Sequence, residues 1–153
     1  MAMNRIYYWA KNFQDIADVI NELSENERFI IPKFLLRAQL VEFALKYLLT
    51  HAPYKPSKGL GKKPVEEMTM GEVIKKLREC QESHFDKIIE AAEDFKELRN
   101  EVTHRLLTTD KTVFEIEQLI LDKFDVADNI ENQIVRFANF VEHALSVNFE
   151  EIS

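Results

Sequence analysis

The sequence predicts an all-α fold, an antiparallel up-and-down bundle of about five helices in a single domain spanning residues 1–153. Two observations carry this prediction. Apolar residues recur at spacings of three and four along most of the chain, which is the periodicity of amphipathic helices. Three glycines and four prolines in 153 residues leave room for few turns. Long helices joined by short connections should pack as antiparallel neighbours.

The first two helices are predicted from their apolar stripes. Residues Asn4 to Leu23 form the first, with a stripe of Ile6, Trp9, Phe13, Ile16, Ile20 and Leu23. The polar segment Ser24 to Glu27 interrupts the pattern. The second helix then tolerates Pro32 in its first turn. Its predicted stripe consists of Leu36, Leu40, Phe43, Tyr47 and Leu48, and its charged residues Arg37 and Glu42 are expected to be solvated or paired at the surface.

One long loop is predicted from His51 to Val65, where three prolines and two glycines prevent a regular helix. Its four lysines, Lys55, Lys58, Lys62 and Lys63, make it the most basic stretch of the chain. Two interpretations remain open, a solvated connector and a contact for RNA phosphates. In either case we expect this loop to be the most mobile segment.

Two capping boxes mark helix starts in the second half of the chain, at Thr69 with Glu72 and at Thr112 with Glu115. Between them, a helix should run from about Ser83 to Leu107. The region after Thr112 should be helical to about Val147, with a kink or break near Asp125 to Asn129. The third helix should direct inward its apolar side chains, Met70, Val73, Ile74 and Leu77.

Composition restricts the function classes. The net charge of −7 argues against broad, non-specific coating of nucleic acid, which depends on neutralising phosphates. The single cysteine, Cys80, excludes an intrachain disulfide framework and is expected to be an unreactive thiol. Neither a signal peptide at Met1 nor a membrane span is expected, so the chain should be soluble and cytoplasmic.

The residues that most resemble a chemical site lie within the long helix before the second capping box. At 100° per residue, Ala91, Phe95, Leu98, Val102 and Leu106 share the predicted core face. The opposite side carries Lys96, Asn100, Thr103, His104 and Leu107, with Arg99 on the shoulder between the faces. His104 is therefore expected to point away from the core, either into solvent or under a second surface.

Arg99, Asn100 and His104 form an Arg-Asn-x-x-x-His pattern that resembles the signature of HEPN domains, small all-helical proteins that are often RNases of toxin or antiviral systems. The segments Arg37 to Leu49, Thr69 to Leu77 and Phe95 to Asn100 also resemble parts of that family. The resemblance covers roughly the middle half of the chain. It implies a homodimer that packs two signature helices together, and a partner such as a nucleotidyltransferase-type antitoxin.

The resemblance further implies an endoribonuclease that needs no metal or cofactor. Arg99 and His104 would be catalytic with Asn100 in support, and we assign Lys96 and Thr103 to substrate binding. An imidazole can serve as acid or base near neutral pH, and a guanidinium offers a planar fork to phosphate. Two alternatives stay open: a catalytically inactive dimerisation scaffold, and a metal site using the Glu101-x-x-His104 spacing.

Overall fold

The computed structural model describes residues 13–18, 29–51, 54–108 and 112–152, with side chains as far as residue 140 apart from 138. These residues form six α-helices and no β-strand, which confirms the all-α prediction but gives one helix more than expected. They are α1 (13–18), α2 (Ile30–His51), α3 (Met70–Glu79), α4 (Asp86–Thr108), α5 (Val113–Asp122) and α6 (Phe124–Ile152). No described helix is both long and apolar enough to cross a membrane.

Helices α2 and α4 both contact α3, α5 and α6, and the interface between α4 and α6 is the most extensive of the described helix pairs. The core face of α4 is as predicted, with Ala91, Phe95, Leu98 and Val102 buried and Leu106 half-buried. A 3₁₀ turn, Ser83–Phe85, leads directly into it. The opposite face of α4 remains exposed along its second half, and this exposed face carries the Arg-Asn-x-x-x-His pattern.

Both predicted capping boxes begin helices. The Thr69 hydroxyl accepts a hydrogen bond from the Glu72 backbone N–H at 3.2 Å, and Thr112 does the same for Glu115. These bonds satisfy donors that have no partner within the first turn of a helix. The four predicted inward side chains of α3 are all buried.

The predicted stripe of α2 is wrong. Leu36 is 49% exposed and Phe43 is 57% exposed, and of the five predicted residues Leu48 alone is buried. The core face instead carries the buried apolar residues Phe34, Ala38, Val41, Ala44, Leu45, Leu48 and Leu49. This helix is apolar on two sides. The side with Phe34 faces the core, because the ring of Phe34 packs 5.8 Å from the ring of Phe95 on α4.

The expected surface position of Arg37 is also wrong. Arg37 lies on the core face of α2 and is only 3% exposed. Its Nε and Nη2 donate to the two carboxylate oxygens of Glu131 on α6, at 2.6 and 2.8 Å. The pairing that the sequence allowed is therefore present, but it is inside the protein, where each charge depends on the other.

Other boundaries differ by small amounts. The break in the last helical region falls at Lys123, between α5 and α6, rather than at Asp125 to Asn129. Of the predicted first helix, residues 13–18 are helical and the remainder lies outside the described residues. Phe13 is buried there, whereas Ile16 from the predicted stripe is about half exposed.

The long loop is attached to α3 along its length. The Ser57 backbone N–H donates to the Glu79 carbonyl at 2.9 Å, and Lys76 Nζ donates to the Gly59 carbonyl at 2.8 Å. Gly59 has a φ of +72°, which favours glycine over residues with a side chain. The predicted start of the loop at His51 is wrong, because His51 is the last residue of α2. Residues 52 and 53 lie outside the described residues, and the mobility of the loop remains a prediction.

Cys80 follows α3 and is half-buried. Burial raises the pKa of its thiol, with Lys55 acting in the opposite sense and Glu79 in the same sense. Its Sγ lies 3.5 Å from the Lys76 carbonyl oxygen. A raised pKa leaves little thiolate at neutral pH, which supports the expectation of an unreactive cysteine.

Candidate functional site

The site predicted from the sequence is an open depression on the exposed face of α4. Its lining includes Arg99, Asn100, Thr103, His104 and Leu107. Residues three and four apart on a helix lie side by side, so the depression follows directly from the helical spacing of these positions. Three predicted catalytic residues and one predicted substrate-binding residue are thus neighbours on one surface.

Arg99 is the least exposed polar member of this group, with a quarter of its side chain accessible. Its Nη1 lies 3.6 Å from Oε1 of Glu42 on α2, and its Nη2 lies 3.4 Å from Oδ1 of Asn100. Both distances are long for hydrogen bonds of a charged group, which are about 2.7–2.9 Å when strong. The guanidinium is therefore positioned by its neighbours while most of its N–H groups stay available.

His104 lies one helical turn after Asn100, and both side chains are exposed. Within the described part of the chain, the His104 ring has no hydrogen-bond partner. Leu107 lies beside it and is 78% exposed, the highest exposure of any large apolar side chain that the structure describes. The exposed imidazole of His104 and the exposed apolar side chain of Leu107 are therefore neighbours in the depression.

Lys96, the other predicted substrate-binding residue, lies outside the depression. Its Nζ binds Glu93 at 2.9 Å, and its side chain packs beside Gly71 at the start of α3. The hydrogen bond from Lys96 is the main cause that lowers the pKa of Glu93, with the Arg78 charge adding to it. Lys96 thus pairs within α4, beside the start of α3, and does not line the depression with Arg99 and His104.

Sequence reasoning missed the role of Glu42. Glu42 also lies 4.0 Å from Lys46, one turn along α2, and lines a second depression together with Phe43 and Tyr47. Its contact with Arg99 joins this α2 surface to the α4 surface. A local sequence signal for that pairing does not exist, because the two residues come from different helices and meet only through the packing of the bundle.

The charges around the depression are balanced in pairs. Arg99 faces Glu42, Lys96 binds Glu93, and Arg105 binds Glu101 at 2.6 Å. The carboxylate of Glu101, which a metal site with the Glu101-x-x-His104 spacing would require, is therefore paired with Arg105. Among the described residues, no three histidine, cysteine, aspartate or glutamate side chains are grouped so that they could hold a metal ion.

The chemistry that this arrangement offers is proton transfer and anion binding. A guanidinium with free N–H groups can hold a phosphate, and an exposed imidazole can donate or accept a proton. Asn100 can donate through its amide while its oxygen stays near Arg99. Comparisons of this chain with known protein families, with curated proteins and with solved structures find no match.

Proposed function

We propose that this chain is a HEPN-like endoribonuclease that cleaves RNA without a metal ion, at a composite site between two protomers. The observation that carries the proposal is the shared depression on α4, where Arg99, Asn100, Thr103 and His104 lie together. The order and spacing of Arg99, Asn100 and His104 match the signature described above. A partly exposed guanidinium and an exposed amide, hydroxyl and imidazole on one surface are suited to a phosphodiester.

RNA supplies its own nucleophile in this reaction. The 2′-oxygen attacks the adjacent phosphorus, the bond to the 5′-oxygen breaks, and a 2′,3′-cyclic phosphate and a 5′-hydroxyl are formed. One base removes the 2′-proton, and one acid protonates the departing 5′-oxygen. His104 of one protomer serves as the base and His104 of the other as the acid, while Arg99 stabilises charge on the phosphorus oxygens.

Two features of the α4 surface support the presence of a second protomer. A single α4 provides one imidazole, whereas the reaction uses an acid and a base. Leu107 is almost fully exposed beside His104, and a second copy of α4 would cover it. In an assembly with two-fold symmetry, the same patch of each subunit meets its copy, which brings two His104 rings to one cleft.

The loose contact between Arg99 and Glu42 is compatible with phosphate binding. At 3.6 Å, this pair is much longer than the 2.6 Å pair of Arg105 and Glu101 on the same helix. Phosphate can therefore displace Glu42 from Arg99 with a small loss of free energy, since exposed ion pairs contribute only about 0–1 kcal/mol. The antitoxin partner and the role in toxin–antitoxin or antiviral defence belong to the same proposal.

The direct test is to incubate the purified protein with structured and unstructured RNA, with and without EDTA. We expect cleavage that EDTA does not change and products that end in a cyclic phosphate. His104→Ala and Arg99→Ala should each lower the rate by about 10²-fold or more, the scale of a lost acid, base or charge stabiliser. Arg99→Lys should restore little, because a point charge replaces a planar fork.

Arg105→Ala is the matched control, because Arg105 lies on the same helix but outside the depression. It should leave the rate unchanged. Leu107→Asp should convert the dimer to a monomer in sedimentation experiments and abolish cleavage together with it. Cleavage that EDTA abolishes would refute the assigned roles, and equal cleavage by wild type and His104→Ala would refute the role of His104 as acid and base.

The second candidate is a catalytically inactive dimerisation scaffold of the same type. The observation favouring it is the charge balance around the depression, where three cations already face carboxylates. A scaffold would leave a broad RNA panel intact and still form dimers that Leu107→Asp disrupts. That combination of results would select the scaffold over the nuclease.

A further inference from the structure

A second pocket lies between α2, α5 and α6, and it shares no residue with the depression on α4. Its volume is about 330 Å³, near the lower end of the range for small-molecule sites. The described lining is apolar except for two cations, Lys33 and Arg37. The apolar lining consists of Ile30, Phe34, Ile120, Leu121, Phe124 and Ala127.

The two cations of the pocket differ in their partners. Arg37 uses Nε and Nη2 to bind both carboxylate oxygens of Glu131, and this pair is neutral as a whole. Its Nη1 has two further N–H groups that this bidentate contact does not use. Lys33 pairs with no carboxylate of the described residues. The described lining, counted together with Glu131, therefore has a net charge of about +1 among apolar walls.

Both cations of the pocket lie over the ring of Phe124, which is also part of the lining. Lys33 Nζ lies 5.9 Å from its centroid and Arg37 Cζ lies 5.2 Å from it. Phe124 and Leu121 are each about half exposed, although both are large apolar side chains. Cation–π contacts hold the charged groups at the edge of an apolar surface without neutralising them.

The surroundings of Lys33 disfavour its charged form. Burial lowers the pKa of Lys33, the Arg37 charge lowers it further, and Glu131 opposes both effects. An anion placed beside the ammonium group would offset the burial and the repulsion together. A monoanion would also balance the net charge, whereas a dianion would leave an excess negative charge in an apolar pocket.

We propose that this pocket binds a small apolar carboxylate, with its head group against Lys33 Nζ and Arg37 Nη1 and its hydrocarbon part along Phe34, Ile120 and Leu121. The volume sets the size of the ligand. At about 30 Å³ for each non-hydrogen atom, the share of a water molecule in the liquid, the pocket holds roughly ten such atoms. Octanoate has this size and is the probe used in the test.

The test is isothermal titration of the full chain with octanoate, octan-1-ol, octylammonium and acetate. Octanoate should bind most tightly, and it should raise the midpoint of thermal unfolding increasingly with its concentration, because the stabilisation follows RT ln(1 + L/Kd), where L is the concentration of free octanoate. Octan-1-ol lacks the charge, octylammonium reverses it, and acetate lacks the hydrocarbon part. Each should bind at least about tenfold more weakly, the loss expected for one charge-assisted hydrogen bond or for several buried methylene groups.

Lys33→Met preserves the length of the side chain and removes its charge, so octanoate affinity should fall at least about tenfold. Lys33→Arg should retain most of the affinity. Lys58→Met is the matched control, because Lys58 is an exposed lysine on the long loop, and it should change nothing. Octanoate binding that Lys33→Met leaves unchanged, or octan-1-ol binding as tight as octanoate, would overturn the proposal, as would no octanoate binding at all.

Discussion

Replacing Glu131 by glutamine is the substitution whose effect on stability the structure defines most sharply. Glu131→Gln keeps the shape of the side chain but leaves the Arg37 charge 3% exposed and without a counter-charge. Breaking a buried ion pair by removing one partner destabilises a protein by about 3–5 kcal/mol. The Phe124 ring, 5.2 Å from Arg37, does not replace the lost carboxylate, since this contact is already present and cation–π contacts contribute only about 0.5–2 kcal/mol.

The chain contains a matched control for this prediction. Arg105 and Glu101 also approach to 2.6 Å, but their side chains are 29% and 46% exposed, against 4% and 8% for Arg37 and Glu131. Distance is therefore held constant and burial is the main variable. Glu101→Gln should lower the free energy of unfolding by no more than about 0.5 kcal/mol, as measured for exposed pairs along a helix.

Urea unfolding followed by circular dichroism measures both free energies of unfolding. At about 2–4 °C per kcal/mol for a domain of this size, Glu131→Gln should also lower the midpoint of thermal unfolding by roughly 6–20 °C. The double variant Arg37→Met with Glu131→Leu should recover most of the loss, because apolar replacement of a buried pair is about neutral or stabilising. Equal losses for Glu131→Gln and Glu101→Gln would refute the assignment of the effect to burial.

Two further predictions concern other carboxylates. Glu42→Gln removes the carboxylate that competes with RNA phosphate for Arg99. It should lower the RNA concentration for half-maximal cleavage by about threefold without lowering the maximal rate. A large fall in the maximal rate would instead make Glu42 a positioning residue. The pKa of Glu93 is held below its ordinary value of 4.5 by Lys96, so Glu93 stabilises the folded state above that pH and loses this contribution as pH falls through the folded-state pKa. Urea unfolding should therefore show a deficit for Glu93→Gln at pH 7 that shrinks by pH 3.

Sequence periodicity predicted α3 and α4 correctly because each has one apolar stripe, and capping residues marked the starts of α3 and α5. In α4, the residues that pack inward alternate with polar ones at helical spacing, so the core face and the exposed face follow from geometry alone. The Thr69 and Thr112 caps depend only on residues three positions away. Local interactions of this kind can be predicted without knowledge of the packing.

Helix α2 could not be assigned in the same way, because it is apolar on two sides. The charge of Arg37 within the true core stripe conceals that stripe, since buried arginines without partners are rare. Its partner Glu131 is 94 residues further along the chain. The choice between the two faces was therefore made by long-range contacts, namely Glu131 on α6 and Phe95 on α4, which periodicity within α2 does not report.

In the candidate site too, local spacing could be predicted from the sequence and contacts between helices could not. Arg99, Asn100, Thr103 and His104 lie together because they share one face of one helix, so the sequence was sufficient to group them. Glu42 was missed because it reaches Arg99 only through the position of α2 beside α4. Lys96 was placed with the group by its helical position, yet its ammonium group binds Glu93 one turn earlier on α4, beside Gly71 of α3.

The two proposed functions assign different consequences to the same contact between Arg99 and Glu42. If the α4 surface is covered by a second protomer, water is displaced around this pair and its Coulomb attraction increases. In a scaffold no phosphate competes, so the pair would tighten and stabilise the dimer, and Glu42→Gln would weaken dimerisation. In the nuclease with RNA bound, Arg99 exchanges Glu42 for phosphate, so Glu42→Gln would leave that dimer intact and favour RNA. Sedimentation and RNA titration of this one variant therefore separate the two functions, even where the rate of cleavage is too low to follow.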